Sequence, residues 1–346
     1  PFGKLEVTRI TGVAHTDKAS LKQLLKSAAA SSKNDHRRLA KDLELFHSNE
    51  EVGAGFWLWQ PKGAILRETL MEWWKNEHKK RFFQPVFTPS LFRETLLKKS
   101  GYHSLPNERK TAFNPLKLDN INYVPTPTHA PLHALIFKAK DQTETQLPIR
   151  YSESSTLHFQ DKNTHLWGMF RSRESTIDTA SIFCTPEQVL EELISSLQFI
   201  EKNVKICGFE CKLYLRTQGK RYSGKRADWG KYSQLLTEAA KFCGFDPIRE
   251  REGFNGPSLE VRIIDSLGRE WKGPKIKVDL NLPERFALHY QGVDGQMHTP
   301  VMITRNLFGS LENFVAILIE HYEGSLPLWL APEQLRVIPV SERYAK

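Results

Sequence analysis

Three lysines crowd one short run, Trp271-Lys272-Gly273-Pro274-Lys275-Ile276-Lys277. Cations this close together make a strongly positive patch, suited to a phosphate or an RNA backbone. The plainer alternative is solvated lysines on an exposed strand. A second basic stretch pairs Lys220-Arg221 with Lys225-Arg226 and sets Tyr222 and Trp229 beside them. Basic groups next to aromatics suit RNA, which offers phosphates and exposed bases together. A surface loop of no special role is the competing reading. The net charge of +9 favours a polyanionic partner in either case. The four cysteines, Cys184, Cys207, Cys211 and Cys243, form no C-x-x-C pair. That argues against structural zinc and against a disulfide framework, and predicts buried reduced thiols.

These groups need a framework to hold them. A chain of 346 residues can form one large domain or two smaller ones around a sizeable core. No stretch approaches the roughly 18 uninterrupted apolar residues of a membrane helix, so no membrane partner is expected. The opening Pro1-Phe2-Gly3-Lys4 is not a signal peptide, and the absence of a leading methionine suggests a translation start elsewhere.

Leu21, Leu24 and Leu25 recur at helical spacing, and Asp35 opens a second amphipathic helix to about Phe46. Gly53, Gly55, Pro61 and Gly63 bracket a short strand around Phe56-Trp57-Leu58-Trp59. Ala64 to about Lys80 reads as a helix with Leu66, Leu70, Trp73 and Trp74 packed on one face. Phe83–Pro89 reads as a strand. Residues 101–128, with Pro106, Pro115, Pro125 and Pro127, read as a surface loop.

Ile182-Phe183-Cys184 is a short strand, and Thr185-Pro186-Glu187-Gln188 predicts a helix start with Thr185 as its cap. Leu259–Ile264, Ile276–Leu280 and Phe286–Tyr290 alternate as antiparallel strands do, with Ser266 and Gly268 suiting the first turn. Leu311–Tyr322 predicts a long apolar helix at the centre. The order of elements predicts an α+β fold.

Several stretches together resemble the catalytic core of threonyl-tRNA synthetase, a class II aminoacyl-tRNA synthetase. They are Asp35-His36-Arg37-Arg38-Leu39, Val86-Phe87-Thr88-Pro89, Leu147-Pro148-Ile149-Arg150, Asn281-Leu282-Pro283-Glu284-Arg285-Phe286, Pro300-Val301-Met302-Ile303, Gly309-Ser310-Leu311-Glu312 and Leu328-Trp329-Leu330-Ala331-Pro332. The match runs over nearly the whole chain. It implies an antiparallel sheet flanked by helices, and dimerisation through the motif 1 region around Pro89. It divides the chain into a lead-in segment at 1–34, a core domain at 35–335 and a tail at 336–346. An anticodon-binding domain would begin in that tail.

The same resemblance implies a site that this chain has changed. The family holds zinc through one cysteine and two histidines, and these positions fall on Ala130, Ser181 and Thr304. His129 and His133 lie beside the first, but Pro131 between them argues against a helix that would align them. No metal and no cofactor are expected. The phosphate-binding arginines of the family fall on Phe159 and, in motif 3, on Asn313. Asp161 is a weak retention, and Arg173 matches a family arginine. Lys272, Lys275 and Lys277 stand where the family has uncharged polar residues.

Fixed arginines stabilise the charge that develops on the α-phosphate during activation, and losing them costs orders of magnitude in rate. The expectation is therefore a catalytically inactive, structural, RNA-binding relative. Its most concrete form is a subunit of the mitochondrial large ribosomal subunit, with ribosomal RNA and ribosomal or synthetase proteins as partners. The location would then be mitochondrial, otherwise cytoplasmic, and the balance of residues is against an enzyme. Two alternatives stay open. One is an enzyme of altered specificity that activates a carboxylic acid with ATP; the other is a regulatory partner of a true synthetase.

Overall fold

Along the strand beginning at Ser258, Leu259, Val261 and Ile263 are sealed from water while Ser258, Glu260 and Arg262 point the other way. That period of two divides the whole molecule. A computed structural model describes residues 12–102, 105 and 111–341. Pro1–Lys4 and Pro106, both used in the sequence reading, lie outside the described residues.

The helices among the described residues are α1 (Lys18–Lys33), α2 (His36–Asp42), α3 (Pro61–Lys79), α4 (Glu94–Lys99), α5 (Ala130–Lys138), α6 (Val189–Ile206), α7 (Arg226–Phe242), α8 (Leu282–Arg285) and α9 (Leu311–His321). The strands are β1 (Phe46–His47), β2 (Leu58–Trp59), β3 (Gln84–Pro85), β4 (Leu91–Arg93), β5 (Leu116–Leu118), β6 (Ile121–Pro125), β7 (Ile149–His158) and β8 (Glu174–Cys184). They continue as β9 (Glu210–Gln218), β10 (Ile248–Gly253), β11 (Ser258–Ile264), β12 (Glu270–Asp279), β13 (Tyr290–Gln291), β14 (Met297–His298) and β15 (Val301–Asn306).

An eight-stranded sheet in the order β10-β9-β11-β12-β15-β8-β7-β3 forms the body. Its six inner strands pair antiparallel, and parallel strands close both edges. The sheet is thus mixed rather than purely antiparallel, within the expected α+β class. Register makes its two faces explicit. One row across it reads Leu215, Leu259, Ile276, Arg305, Ala180; the next reads Arg216, Ser258, Lys277, Thr304, Ser181. The first row faces the core under α6, α7 and α9, and the second faces an open cleft.

Several elements differ from the sequence reading for identifiable reasons. Residues 101–128 are not all loop, because β4, β6 and β5 form a small sheet. Its hairpin turns at Asp119 and Asn120, both at positive φ (46° and 62°), the geometry of a two-residue turn that asparagine and aspartate tolerate. Pro131 does not prevent a helix. It lies in the first turn of α5, where no intrahelical N–H is needed.

Thr185 and Pro186 form a turn, and α6 starts later, at Val189 after Gln188. Phe286 follows the short helix α8 instead of opening a strand, since Pro283 again sits in a first helical turn. Only Gln84–Pro85 of the predicted 83–89 strand pairs with the sheet. All four cysteines are free, with Cys184 and Cys207 buried.

Candidate active site

The cleft face of the sheet carries the chemistry. Lys275 and Lys277 are two apart on β12 and share that face. Lys272 would alternate away, but the β11–β12 register slips between Glu260 and Arg262. That bulge inserts an extra residue on β12 and returns Lys272 to the lysine side. Gly273 sits at the slip, where a Cβ would lie 2.8 Å from Ile263.

A cavity of about 340 Å³ opens on this face. Its lining sets Arg216, Lys272, Lys275 and Lys277 against Glu252 and Glu260, four cations to two carboxylates. Arg216 is already committed. Its Nε and Nη2 each donate to the Glu260 carboxylate at 2.9 Å, and Nη1 donates to Glu252. Burial would raise the Glu260 carboxyl, but Arg216 and the lysines bring it below its usual range. Lys277 Nζ lies 2.7 Å from Asp279. Lys277 is thus paired as well, and Lys272 and Lys275 act on the Glu260 carboxylate.

A second hollow of about 220 Å³ adjoins it, lined by Ala130, Ile177, Thr179, Lys275, Lys277 and Thr304 among others. The structure thus brings Ala130 and Thr304 together with two of the three lysines. Ser181 is fully buried next to Thr304 in register.

The zinc positions implied by the family do not fit a metal. Ala130 offers no ligand, and Ser181 and Thr304 offer only hydroxyls. The α5 helix does place His129 and His133 in parallel, ring centroids 6.1 Å apart, but all four ring nitrogens are engaged. His129 contacts Thr179 (3.0 Å) and Ser155 (2.7 Å); His133 contacts Ser181 (2.8 Å) and Glu153 (3.1 Å). Glu153 also accepts from the amide and hydroxyl of Thr88. Burial pulls the His129 imidazole down to about 4, against the opposing pull of Glu153, so it is neutral at pH 7. This is a closed hydrogen-bonded network beneath the hollow.

The remaining sequence-selected residues are elsewhere. Phe159, Asp161 and Arg173 sit where the β7–β8 connecting loop leaves the paired strands. Arg173 donates to the carbonyls of Asp161 and Ala54 and to the Asn163 side chain, and Asp161 binds Arg171 at 2.6 Å. These contacts brace the hairpin, whose tip stacks Phe170 on Trp271 at 4.1 Å. Asn313 lies in the first turn of α9, its backbone N–H capped by Ser310.

Lys220, Arg221, Lys225 and Arg226 are exposed on the β9–α7 loop and at the start of α7. That loop is tied to the cavity wall, because Gly219 N donates to Gly253 O (3.0 Å) and Ser223 N to Phe254 O (2.8 Å). Tyr222 is exposed, but Trp229 is not available to a base. It is buried, and its indole N–H donates to the Ser223 carbonyl. The pairings of Arg216 with Glu260 and of His133 with Glu153 were not legible in the sequence. Their contacts span dozens of residues, and only strand register aligns them.

With this geometry in place, the relatives can be set beside it. The tRNA synthetase class II core domain (G, H, P, S and T) matches residues 116–322. The RNA binding domain of threonyl-tRNA synthetase from Cryptosporidium parvum Iowa II superposes with a TM-score of 0.81 at 34% identity, covering 86% of this chain and 75% of that one. The chain belongs to the threonyl-tRNA synthetase class II core family.

Two proteins named Threonine--tRNA ligase extend the family match. That of Sulfurihydrogenibium sp. (strain YO3AOP1) is 38% identical over 97% of this chain and 52% of its own length. That of Aquifex aeolicus (strain VF5) is 39% identical over 98% and 53%. The chain spans about half the length of these curated relatives.

This finding corrects the expectation of a catalytically inactive ribosomal scaffold. Relatives this similar across nearly the whole chain carry the name of a ligase, and they point to synthetase chemistry. The expectation rested on counting replaced residues one position at a time. The lysine row was weighed there as a phosphate contact, but solvated surface lysines were slightly preferred.

Proposed function

We propose that the chain is the core of a working synthetase-type enzyme of altered specificity, which activates a small carboxylic acid with ATP and passes the acyl group to an RNA. The observation that carries this reading is the lysine row Lys272, Lys275 and Lys277, aligned by the β12 bulge on the cleft face of a synthetase core. In activation a carboxylate oxygen bonds to the α-phosphorus, the bond to the bridging oxygen breaks, and pyrophosphate leaves. Negative charge grows on the phosphate oxygens, and fixed cations stabilise it. The lysines take the part that the family gives to the arginines at the positions of Phe159 and Asn313. The adjoining hollow, with Thr128, Thr179, Thr304 and Asn306 in its wall, suits a small polar acid chosen by hydrogen bonds instead of by zinc.

An RNA acceptor is supported by the net charge, by the exposed basic loop Lys220–Arg226 at the cavity rim, and by the likeness to the RNA binding domain of the Cryptosporidium relative. Dimerisation through the motif 1 region is supported by two strongly exposed aromatics, Phe82 and Phe87.

The test is to incubate the protein with ATP and a mixture of amino acids and small organic acids, then identify the retained acyl-AMP by mass spectrometry. One adenylate other than threonyl-AMP, absent from Lys275→Ala and Lys277→Ala, is the expected result. Threonyl-AMP alone would overturn the altered specificity. No adenylate from any acid would overturn the enzyme reading.

A further inference from the structure

The hydrogen-bond chain beneath the hollow has a direction, and it is set from one end. Glu153 is buried on β7, and its carboxylate receives the amide and hydroxyl of Thr88, the hydroxyl of Ser155 (3.2 Å) and His133 Nε2 (3.1 Å). A carboxylate only accepts, so the single hydroxyl proton of Ser155 goes to it. Ser155 Oγ also meets His129 Nε2 at 2.7 Å. With its own proton spent, the serine must accept there, and the neutral His129 ring carries its proton on Nε2. Nδ1 is then an acceptor, and Thr179 donates its hydroxyl proton to it at 3.0 Å. The opposite direction would face the bare Ser155 oxygen against the Glu153 carboxylate with no proton between them.

Thr179 is half-buried on β8 and lines the hollow. Its proton is turned inward to His129, so what it offers a ligand is a lone pair. No open carboxylate accompanies it. Among the described residues, Asp178 is the one carboxylate in the lining. Its oxygens already accept from Trp74 Nε1 and from the backbone N–H groups of Leu307, Phe308 and Gly309. Asp279, on β12, accepts from Lys277 and from the amides of Asn281 and Leu282. Lys275, Lys277 and Arg305 stand in the lining itself.

An ammonium group entering this hollow would bring a charge and three donors to a wall that holds cations and a saturated carboxylate. Its lost hydration would not be replaced. A hydroxyl brings one donor and no charge, and a single acceptor satisfies it.

We propose that the hollow selects a small hydroxy acid over an amino acid, with Thr179 Oγ1 accepting the substrate hydroxyl and His129 as the residue that positions it. This rests on the reading of the cleft as an activation site and narrows its substrate to one chemical class.

ATP–pyrophosphate exchange with matched acids tests it. Lactate, alanine and propanoate carry a hydroxyl, an ammonium group or a hydrogen on the α carbon, and the β-hydroxy and β-amino forms of propanoate extend the series by one carbon. The expected result is a hydroxy acid used about tenfold or more better, as kcat/KM, than both of its matched partners. Thr179→Val should remove that preference, chiefly through KM, while Thr179→Ser keeps it. His129→Gln, which no longer fixes the direction of the Thr179 proton, should reduce it several-fold. An amino or unsubstituted acid used as well as its hydroxy partner overturns the assignment and leaves the activation reading standing. So does a preference that survives Thr179→Val, and so does exchange confined to acids without a hydroxyl. Exchange with no acid at all overturns the activation reading and this assignment with it.

Discussion

Ile276 and Lys277 are neighbours in sequence and lie on opposite faces of one sheet. Ile276 joins a row that is sealed under α6, α7 and α9, and its worth is packing. Lys277 joins the cleft row beside Thr304, and its worth is charge held in place. The two faces answer to different constraints. The core face must fill volume, so its residues can be exchanged only for others of similar size and polarity. The cleft face must present charge, and the same charge can be delivered from a different strand. Losses on the cleft face therefore say less about function than losses on the core face say about folding.

Mutation separates the two faces, beginning with the largest effect. Trp229→Ala removes a buried indole and its hydrogen bond to Ser223, and should cost about 4 kcal/mol in urea unfolding. A loss below about 1 kcal/mol would show that Trp229 is surface equipment after all. Ile276→Ala should cost about 3 kcal/mol, whereas Lys275→Ala, one residue away, should change stability by less than about 1 kcal/mol. Equal costs would erase the distinction between the faces.

His129 gives a pH test of the buried network under the hollow. Its folded-state pKa of about 4 lies below the usual 6.5, so only the unfolded chain takes up this proton between those values. Stability should fall as pH drops from 6.5 to 4, by about 3 kcal/mol from this group. His129→Gln should flatten that part of the profile by one proton. An unchanged slope would mean the imidazole is already charged or open to water. The smallest effect belongs to Tyr222→Ala. It should weaken RNA binding several-fold in a filter assay while leaving the unfolding curve in place.

The framework was legible because it rests on local patterns. Alternation along Leu259–Ile264 and the apolar run Leu311–Tyr322 mark β11 and α9 without help from the rest of the chain. The family resemblance rested on the same framework. The hairpin at Asp119-Asn120 and the helix starts at Pro131 and Pro283 were hidden because proline and turn residues mean opposite things at different positions.

The site was less legible. From sequence Lys272 is out of phase with Lys275 and Lys277, and only the bulge against β11 reunites them. The bond from His133 to Glu153 and the fork from Arg216 to Glu260 join residues with no sequence relation. The basic stretch forms an exposed loop, whereas Trp229, read beside it as an accessible aromatic, is buried, because burial is not written in the residue type.

The central claim is that the lysine row runs an activation reaction in place of the family's arginines. ATP–pyrophosphate exchange, measured for the wild type and Lys277→Ala against a panel of carboxylic acids, tests it most directly. The account predicts exchange with at least one acid other than threonine, reduced about 100-fold or more in Lys277→Ala. Exchange that is absent for every acid, or unaffected by the lysine substitution, would contradict it.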